Sequence, residues 1–213
     1  MIVTAASSNH FKSAKQFLAS VPEKVVFYDI GLTEEEAEEI KQLNIEYRKF
    51  DFSVLPLFAH LDQPCAGAYA WKPYIIDLCC QEDDMVIWFD AGDVVTDLKA
   101  IKDLVRKHGL YTPVSSGNVK KWTYETMLKE YEQFSMNIMR NAAVVGVFCR
   151  HPVMRRFIRE WRDMALQSKY SIPEGSTRDN HRWDQSILTC LFYKYKIECP
   201  YKVIGVKIHQ DCD

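Results

Sequence analysis

Apolar and polar positions follow two alternating periodicities along the chain. Continuous apolar runs, which are typical of buried strands, occur at Ile2–Ala6, residues 25–28 and Met85–Phe89. Between them, Phe11–Ser20 and Leu98–His108 place apolar residues three and four positions apart, which predicts helices with one buried face. Strand and helix patterns therefore alternate from the start of the chain, and this order predicts an α/β layered fold.

The same pattern continues to the end of the chain. Further strands are predicted at residues 47–52, 142–149 and 203–208, and further helices at residues 73–80, 152–166 and 183–195. Thr33 and Glu36 have the spacing of a capping box and predict the start of an acidic helix. Residues 111–131 and 168–182 are polar and irregular. Since no repeat or linker interrupts the pattern, residues 1–213 are expected to form one domain.

Composition limits the class of protein. Hydrophobic residues make up 47% and charged residues 26% of the 213 positions, as in globular proteins. A net charge of -2 gives no general attraction to nucleic acid or to an anionic membrane. No apolar run is long enough to span a bilayer, and no signal peptide precedes the first strand, so a cytoplasmic location is expected. The chain stops directly after its last predicted strand, which suggests that it belongs to a longer polypeptide.

Cysteine usage carries a separate prediction. The chain has 7 cysteines, an odd number, and none forms a CxxC pair. A disulfide framework or a cysteine zinc site is therefore not expected, and a reducing compartment is favoured. Cys79 and Cys80 lie in an apolar helical run, where they are expected to pack as small hydrophobic residues.

Two carboxylates follow the most hydrophobic predicted strand. Asp90 and Asp93 are separated by Ala91 and Gly92, whose small size leaves room for a ligand near the backbone. Ligands of open α/β sheets bind beyond the carboxyl ends of the strands, and paired carboxylates suit Mg²⁺ or Mn²⁺. The alternative is an ordinary turn at the end of a strand, since Asp and Gly are common turn residues.

Five further residues are candidates for the same site, and each has a simpler structural explanation. His209 follows a predicted strand, where a histidine is more often a surface residue than a ligand. Asp184 and Gln185 begin a helix, where an aspartate also stabilises the helix dipole. Lys72 stands alone in an apolar stretch and either neutralises a phosphate or extends to solvent. Asn141 precedes a buried strand and is otherwise a turn residue.

Taken together, these motifs resemble the GT-A fold glycosyltransferases, and among them the retaining family 8 that includes glycogenin and bacterial lipooligosaccharide galactosyltransferases. The resemblance covers nearly the whole chain and is carried by residues 3–10, 88–95, 141–144, 184–185 and 208–209, together with Lys72. It implies a single GT-A domain with a central, mixed but mostly parallel sheet flanked by helices. The chain also resembles the N-terminal domain of large chlorella-virus multidomain glycosyltransferases, which implies further domains and a location in the host cytoplasm.

The resemblance also implies roles for individual residues. A nucleotide-sugar donor would contact Thr4, Ala5, Ala6, Asn9, His10, Lys72, Asp90, Ala91 and Asn141. Mn²⁺ or Mg²⁺ would bind Asp90, Asp93 and His209, and Asp184 and Gln185 would lie at the reacting face. The sequence departs from the family in two places: the aspartates are spaced D-x-x-D rather than D-x-D, and the Gly-Lys-Pro-Trp segment after the histidine is absent. Asp93 is therefore expected to reach the metal through water or from a different angle.

The resulting hypothesis is a metal-dependent transfer of a sugar from a UDP-sugar to a sugar hydroxyl, with retention of configuration. Residues 168–182 and 115–131 are the expected acceptor-binding and lid segments, with Trp122, Tyr124 and Trp183 as residues that could stack on sugar rings. Two alternatives remain open. One is a nucleotide-sugar or glycan-binding module without turnover, and the other is a phosphohydrolase of the haloacid dehalogenase type.

Overall fold

A computed structural model describes residues 1–213 and confirms the α/β prediction. Its strands are β1 (Ile2–Ala6), β2 (Val25–Asp29), β3 (Ile45–Lys49), β4 (Met85–Phe89), β5 (Val94–Val95), β6 (Leu110–Tyr111), β7 (Val114–Asn118), β8 (Ile138–Arg140), β9 (Val144–Phe148) and β10 (Val206–Lys207). Its helices are α1 (Phe11–Ser20), α2 (Glu34–Lys41), α3 (Pro64–Ala68), α4 (Trp71–Glu82), α5 (Leu98–His108), α6 (Val119–Trp122), α7 (Glu125–Leu128), α8 (Pro152–Ala165), α9 (Ser168–Ser171) and α10 (Trp183–Lys194).

Six strands form one central sheet in the order β3-β2-β1-β4-β9-β6. The first four strands of this order are mutually parallel, whereas β9 runs antiparallel to both β4 and β6. The carboxyl ends of β1 and β4 therefore meet at one edge of the sheet, and the segment that leads into β9 lies at the same edge. Two small sheets, β5 with β10 and β7 with β8, are added around this edge.

The central strands are buried because helices cover the sheet. Val86 through Phe89 of β4 have no exposed surface, as their uninterrupted apolar run predicts. Helix α4 packs against α8, and α8 packs against α10. The capping box of Thr33 and Glu36 is present at the start of α2, and Gly109, with φ 76°, ends α5 in the left-handed conformation.

Three element boundaries differ from the predictions. The third strand covers Ile45–Lys49 rather than residues 47–52, because Phe50 and Phe52 leave the ladder and pack against each other with ring centroids 4.9 Å apart. Helix α4 begins at Trp71, two residues before its predicted start at residue 73. The last strand is reduced to Val206–Lys207, the part that pairs with β5.

The prediction that the cysteines are unpaired is wrong for two of them. Cys80, near the end of α4, forms a disulfide with Cys149, which follows β9. The sequence separation of 69 hides the pairing from any local motif, since only the topology brings α4 and the end of β9 together. The inference of a reducing compartment loses its basis. Cys79 does pack as expected, fully buried and with its sulfur 3.6 Å from the Tyr28 hydroxyl.

No helix in the chain combines the length and the apolar composition that a bilayer crossing requires.

Candidate active site

A cavity of about 780 Å³ opens at the edge of the sheet where β1 and β4 end. Eleven of the residues predicted from the sequence line it: Ala5, Ala6, Asn9, His10, Lys72, Asp90, Ala91, Asn141, Asp184, Gln185 and His209. They come from distant parts of the chain and meet because parallel strands end at a common edge. A cavity of this size can enclose a sugar nucleotide or a similarly large polar ligand.

Two predicted residues do not line the cavity. Thr4 is buried within β1, and its hydroxyl donates a hydrogen bond to the Phe89 carbonyl at 2.8 Å. Its hydroxyl therefore joins β1 to β4, and the contact of Thr4 with a donor stays a prediction. Asp93 is also fully buried and lies behind the cavity wall.

Lys72 lies at the centre of a buried network of charges. Its ammonium is 2.9 Å from Asp90 Oδ1 and 3.5 Å from Asp184 Oδ2. It also donates a hydrogen bond to the Ala142 carbonyl at 3.3 Å. Burial lowers the pKa of Lys72, but the charges of Asp184 and Asp90 outweigh this effect and raise the pKa above its usual value, so Lys72 carries a full positive charge.

For Asp184, burial has a larger effect on the pKa than the neighbouring charge. Burial raises its pKa to about 6, although the positive charge of Lys72 acts to lower it. Its 3.5 Å separation from Lys72 is too long for a strong hydrogen bond, so the attraction compensates only part of the desolvation. At neutral pH, Asp184 is therefore a buried carboxylate with a single cationic neighbour, directly facing the cavity.

Asp90 is fixed by the strands on either side of it. The Trp88 indole donates a hydrogen bond to Asp90 Oδ1 at 2.8 Å, and the Asp90 amide donates to the Ala143 carbonyl at 2.8 Å. Gln185 lies opposite and accepts a hydrogen bond from the Ala142 amide at 3.4 Å. The Asp90 side chain is thus held by the Trp88 indole, and the Gln185 side chain by backbone next to β9.

Asp93 is held by the chain terminus. Its Oδ1 accepts a hydrogen bond from the His209 amide at 3.2 Å, while its Oδ2 is buried without a partner. Burial raises the pKa of Asp93 to about 8, and the nearby Asp90 charge adds to the increase. At neutral pH the Asp93 carboxyl group is therefore largely protonated, and a cation bound beside it would favour the ionised form.

The final residues of the chain complete this side of the cavity, and sequence reasoning did not identify them. The Gln210 amide donates to the Gly92 carbonyl at 2.6 Å, and Asp211 also lines the cavity. A methyl group at Gly92 would overlap the Asp211 carboxylate, so the glycine between the two aspartates makes room for it. The extra glycine in the D-x-x-D spacing is the one signal that could have pointed to this contact.

The grouping of possible metal ligands differs from the predicted one. His10, Asp211 and Asp213 place their ligand atoms within 4.8 Å of one another. Asp90, Asp93 and His209 do not form such a group. His10 Nδ1 lies 3.5 Å from Asp211 and 3.4 Å from Asp213, so the histidine predicted to contact the donor pairs here with the last carboxylates of the chain.

Strained backbone is concentrated around the cavity. Six of the seven residues other than glycine with positive φ lie in three segments that border it, namely Cys65, Ala66, Ala68, Tyr69, Trp183 and His209, and the seventh is Lys196. With Gly67, residues 65–69 form a left-handed turn directly before α4 and Lys72. Such conformations persist only where the surrounding structure imposes them, and they are frequent at functional sites.

The opposite side of the cavity is formed by the two irregular segments. Trp122 lines the cavity, together with Arg178 and Arg182, which sequence reasoning missed. The Arg182 guanidinium lies 3.9 Å from the centroid of the Trp122 ring. Trp183 lines the cavity as well, with its ring 5.7 Å from that of Tyr69, whereas Tyr124 is not part of the lining.

A buried histidine connects these two segments. His181 Nδ1 accepts a hydrogen bond from the Tyr124 amide at 3.2 Å, and Nε2 faces the Tyr170 carbonyl at 2.8 Å. This arrangement requires a neutral ring with its proton on Nε2. Burial accordingly lowers the pKa of His181 to about 4.

Three solved structures share this fold. The bifunctional glycosyltransferase WbbM superimposes with a TM-score of 0.63 at 15% identity, covering 91% of this chain and 37% of that one. The galactosyltransferase LgtC, in complex with donor and acceptor sugar analogs, gives 0.55 at 20% identity and covers 90% and 70% of the two chains. Mouse xyloside xylosyltransferase 1 gives 0.53 at 12% identity, covering 92% and 82%. The chain thus has the GT-A fold of these enzymes and spans 37% of the length of WbbM.

Sequence comparisons add less. A family profile described as a protein of unknown function (DUF1647) matches residues 1–77, a segment that includes the start of the cavity wall and Lys72. A search of curated proteins gives no significant match. Neither membership of family 8 nor a viral origin follows from these comparisons.

Proposed function

We propose that the protein is a retaining glycosyltransferase that uses a nucleotide-diphosphate sugar, a UDP-sugar in the first instance, and a divalent cation. The buried network of Lys72, Asp90 and Asp184 at the carboxyl edge of the sheet carries this proposal. Burying Lys72 and Asp184 is costly, Asp90 is partly exposed, and the three side chains face a cavity large enough for a sugar nucleotide. The glycosyltransferase fold of the structural neighbours supports the same reaction class.

The donor nucleotide is assigned to the end of β1. Ala5 and Ala6 leave room beside the backbone, and Asn9 accepts a hydrogen bond from the Ser7 hydroxyl at 2.6 Å. The Asn9 amide nitrogen therefore remains available for the base or ribose. Asn141 and Ala91 border the same space nearer to Lys72, where the donor sugar would lie.

The residues of the predicted cation site suit Mn²⁺ or Mg²⁺ in chemistry. Asp90 has one oxygen that is not engaged by Trp88 or Lys72, and Asp93 has a buried oxygen without a partner. Together with His209 these would hold the ion, although their ligand atoms are not gathered into one group in this structure, and Asp211, beside Gly92 in the same wall, would be a further oxygen ligand. A bound divalent ion would neutralise the negative charge that develops on the leaving diphosphate.

The chain's own groups would act on both sides of the breaking bond. Lys72 supplies a permanent positive charge from a water-poor position, where it stabilises charge that develops on the leaving phosphate. Asp184, anionic at neutral pH, and Gln185, held by the Ala142 amide, would face the anomeric carbon. They would serve there as nucleophile or as stabilisers of an oxocarbenium-like state.

Release of UDP from UDP-sugars, measured with and without Mn²⁺ and with a panel of acceptor sugars, tests this proposal. Manganese-dependent release that falls at least 100-fold in Asp184→Asn and in Asp90→Asn is expected. Asp103→Asn is the matched control, because Asp103 lies on the exposed face of α5. Wild-type protein that binds UDP-sugars without any release would overturn the proposal in favour of a binding module. Release of phosphate from simple phosphomonoesters would instead favour a phosphohydrolase.

A further inference from the structure

The rim of the cavity opposite the strand ends has an excess of positive charge. We define this rim as Lys121, Trp122, Arg178 and Arg182. None of its three cations lies within 4.0 Å of a carboxylate oxygen. The chain as a whole has a charge of -2, so this local excess of positive charge is not a consequence of the overall composition.

The Trp122 ring holds two of these cations in place. The Arg182 guanidinium lies 3.9 Å and the Lys121 ammonium 4.7 Å from its centroid. The indole N–H is already used, since it donates to the Ser116 carbonyl at 3.0 Å. Trp122 therefore serves as a support for cations. This differs from the prediction that its face receives a sugar ring.

The backbone of Arg182 is fixed as well. Its amide donates to the Trp122 carbonyl at 3.1 Å and to the Ser186 hydroxyl at 2.9 Å. Burial and the neighbouring charge of Arg178 both lower the pKa of Arg182, and Asp179 only partly opposes them. The remaining carboxylates of the two segments, Glu125, Glu130 and Glu174, form no ion pair with the rim. Two guanidinium groups are thus brought together at a cost that an anionic ligand would offset.

We propose that the acceptor is an anionic glycan whose carboxylate or sulfate is bound by Arg178 and Arg182. This rests on the proposed function, because it identifies the rim as the acceptor side of the cavity. Lys72 of α4 belongs to the charged network with Asp90 and Asp184 that is assigned to the donor, whereas Arg178 and Arg182 belong to or end the segment 168–182, which lines the same cavity. A guanidinium binds a carboxylate or a sulfate through two parallel hydrogen bonds, which a neutral hydroxyl cannot match.

Direct binding tests the acceptor independently of turnover. Titrations of the protein, loaded with UDP and Mn²⁺, would use three disaccharides of one linkage ending in glucose, glucuronic acid or glucose sulfate. At least tenfold tighter binding of one of the anionic probes is expected, with the probe that binds identifying the source of the charge. The ratio of anionic to neutral probe affinity should decrease as the salt concentration rises. It should fall to about one in Arg178→Gln and in Arg182→Lys. Lys120→Gln, an exposed residue of α6 outside the cavity lining, should keep the wild-type preference.

Three results would overturn the inference. The first is equal binding of the neutral and anionic disaccharides by the wild-type protein. The second is an anionic preference that survives in both arginine variants. The third is a loss of UDP affinity in Arg178→Gln as large as its loss of acceptor affinity, which would assign the arginine to the donor diphosphate. A wild-type protein that prefers the anionic probe but never releases UDP would contradict the proposed transferase activity and leave the assignment of the rim intact.

Discussion

The two walls of the cavity are held in place by different interactions. On the strand wall, formed by the ends of β1 and β4 with α4 and the start of α10, Lys72 and Asp184 are almost fully buried and paired. On the loop wall, formed by residues 114–122 and 168–182, the charged side chains are exposed or partly exposed and have no ionic partner. His181 joins the two irregular segments through hydrogen bonds to the Tyr124 amide and the Tyr170 carbonyl.

This difference separates two tasks. Buried, mutually paired charges are costly to rearrange, so the strand wall presents a preorganised site for chemistry that does not depend on a ligand. Exposed, unpaired charges on loops contribute little to stability, so substituting them changes the free energy of unfolding only slightly. Reaction type is therefore expected to reside on the strand wall, and acceptor choice on the loop wall. Substitutions on the two walls should differ in how they affect stability and activity.

The largest effect is expected from Lys72→Met. Removing the ammonium leaves the buried Asp184 and the partly exposed Asp90 without their cation, which should lower the free energy of unfolding by about 3–5 kcal/mol and abolish UDP release. Urea denaturation and the UDP-release assay measure the two quantities. Lys99→Met is the control, because Lys99 pairs with Asp103 on the exposed face of α5, and no measurable change is expected there. A Lys72→Met protein as stable as the wild type would remove the distinction between the walls.

The next effect concerns the loop wall and depends on pH. The pKa of His181 falls from 6.5 to about 4 on folding, so between these values the unfolded chain binds the proton and the folded chain does not. Stability is therefore complete above about pH 6.5 and is lost as the pH falls towards 4, by up to roughly 3 kcal/mol from this residue.

Urea denaturation at a series of pH values between 4 and 7 measures this loss. The slope of stability against pH should be smaller in His181→Gln than in the wild type. His151→Asn is the control, because His151 is an exposed helix cap that asparagine can replace. Equal slopes in His181→Gln and the wild type would show that the histidine does not hold the loop wall together.

A smaller effect is expected where the terminus meets the strand wall. In Gly92→Ala the new methyl group overlaps the Asp211 carboxylate, which is partly exposed and able to move, so a loss of about 1 kcal/mol in stability is expected. Adding Asp211→Ala should recover most of this loss, because the overlapping group is then absent. A double-mutant cycle in thermal unfolding measures the coupling, and strict additivity would show that the contact does not exist.

The smallest effect is expected from Arg178→Gln. Since Arg178 is exposed and has no ionic partner, the free energy of unfolding should stay within about 0.5 kcal/mol of the wild type. Thermal denaturation checks this together with the acceptor titrations described above. A clear loss of stability would place Arg178 among the structural residues and reduce the contrast between the two walls.

The strand wall was also the more predictable of the two. The uninterrupted apolar run of Met85–Phe89 indicates a buried strand, and the position of Asp90 at its end follows from the general rule for α/β sheets. No comparable rule exists for Arg178 and Arg182, because their positions depend on how the two loops pack through His181. Local periodicity contains no information on such contacts.

Long-range contacts were missed for the same reason. The pairing of Cys80 with Cys149 joins elements far apart in sequence, and the contact between Gly92 and Asp211 depends on where the terminus crosses the sheet edge. In both cases a local feature was interpreted from its neighbours in sequence, whereas its function is set by a partner in space. The D-x-x-D spacing was treated as a departure from a motif, although its glycine is required by a residue of the terminus.

The left-handed turn before α4 reverses a common rule of protein engineering. In a right-handed helix, replacing alanine with glycine costs about 1 kcal/mol, because glycine gains more freedom in the unfolded chain. Ala66 and Ala68, with φ of 51° and 54°, adopt a conformation that disfavours any side chain, and here glycine is the better residue. The left-handed conformation of residues 65–69 is therefore imposed by the surrounding fold and not by the intrinsic preferences of these residues. This segment is where a more flexible residue would make the native state more stable.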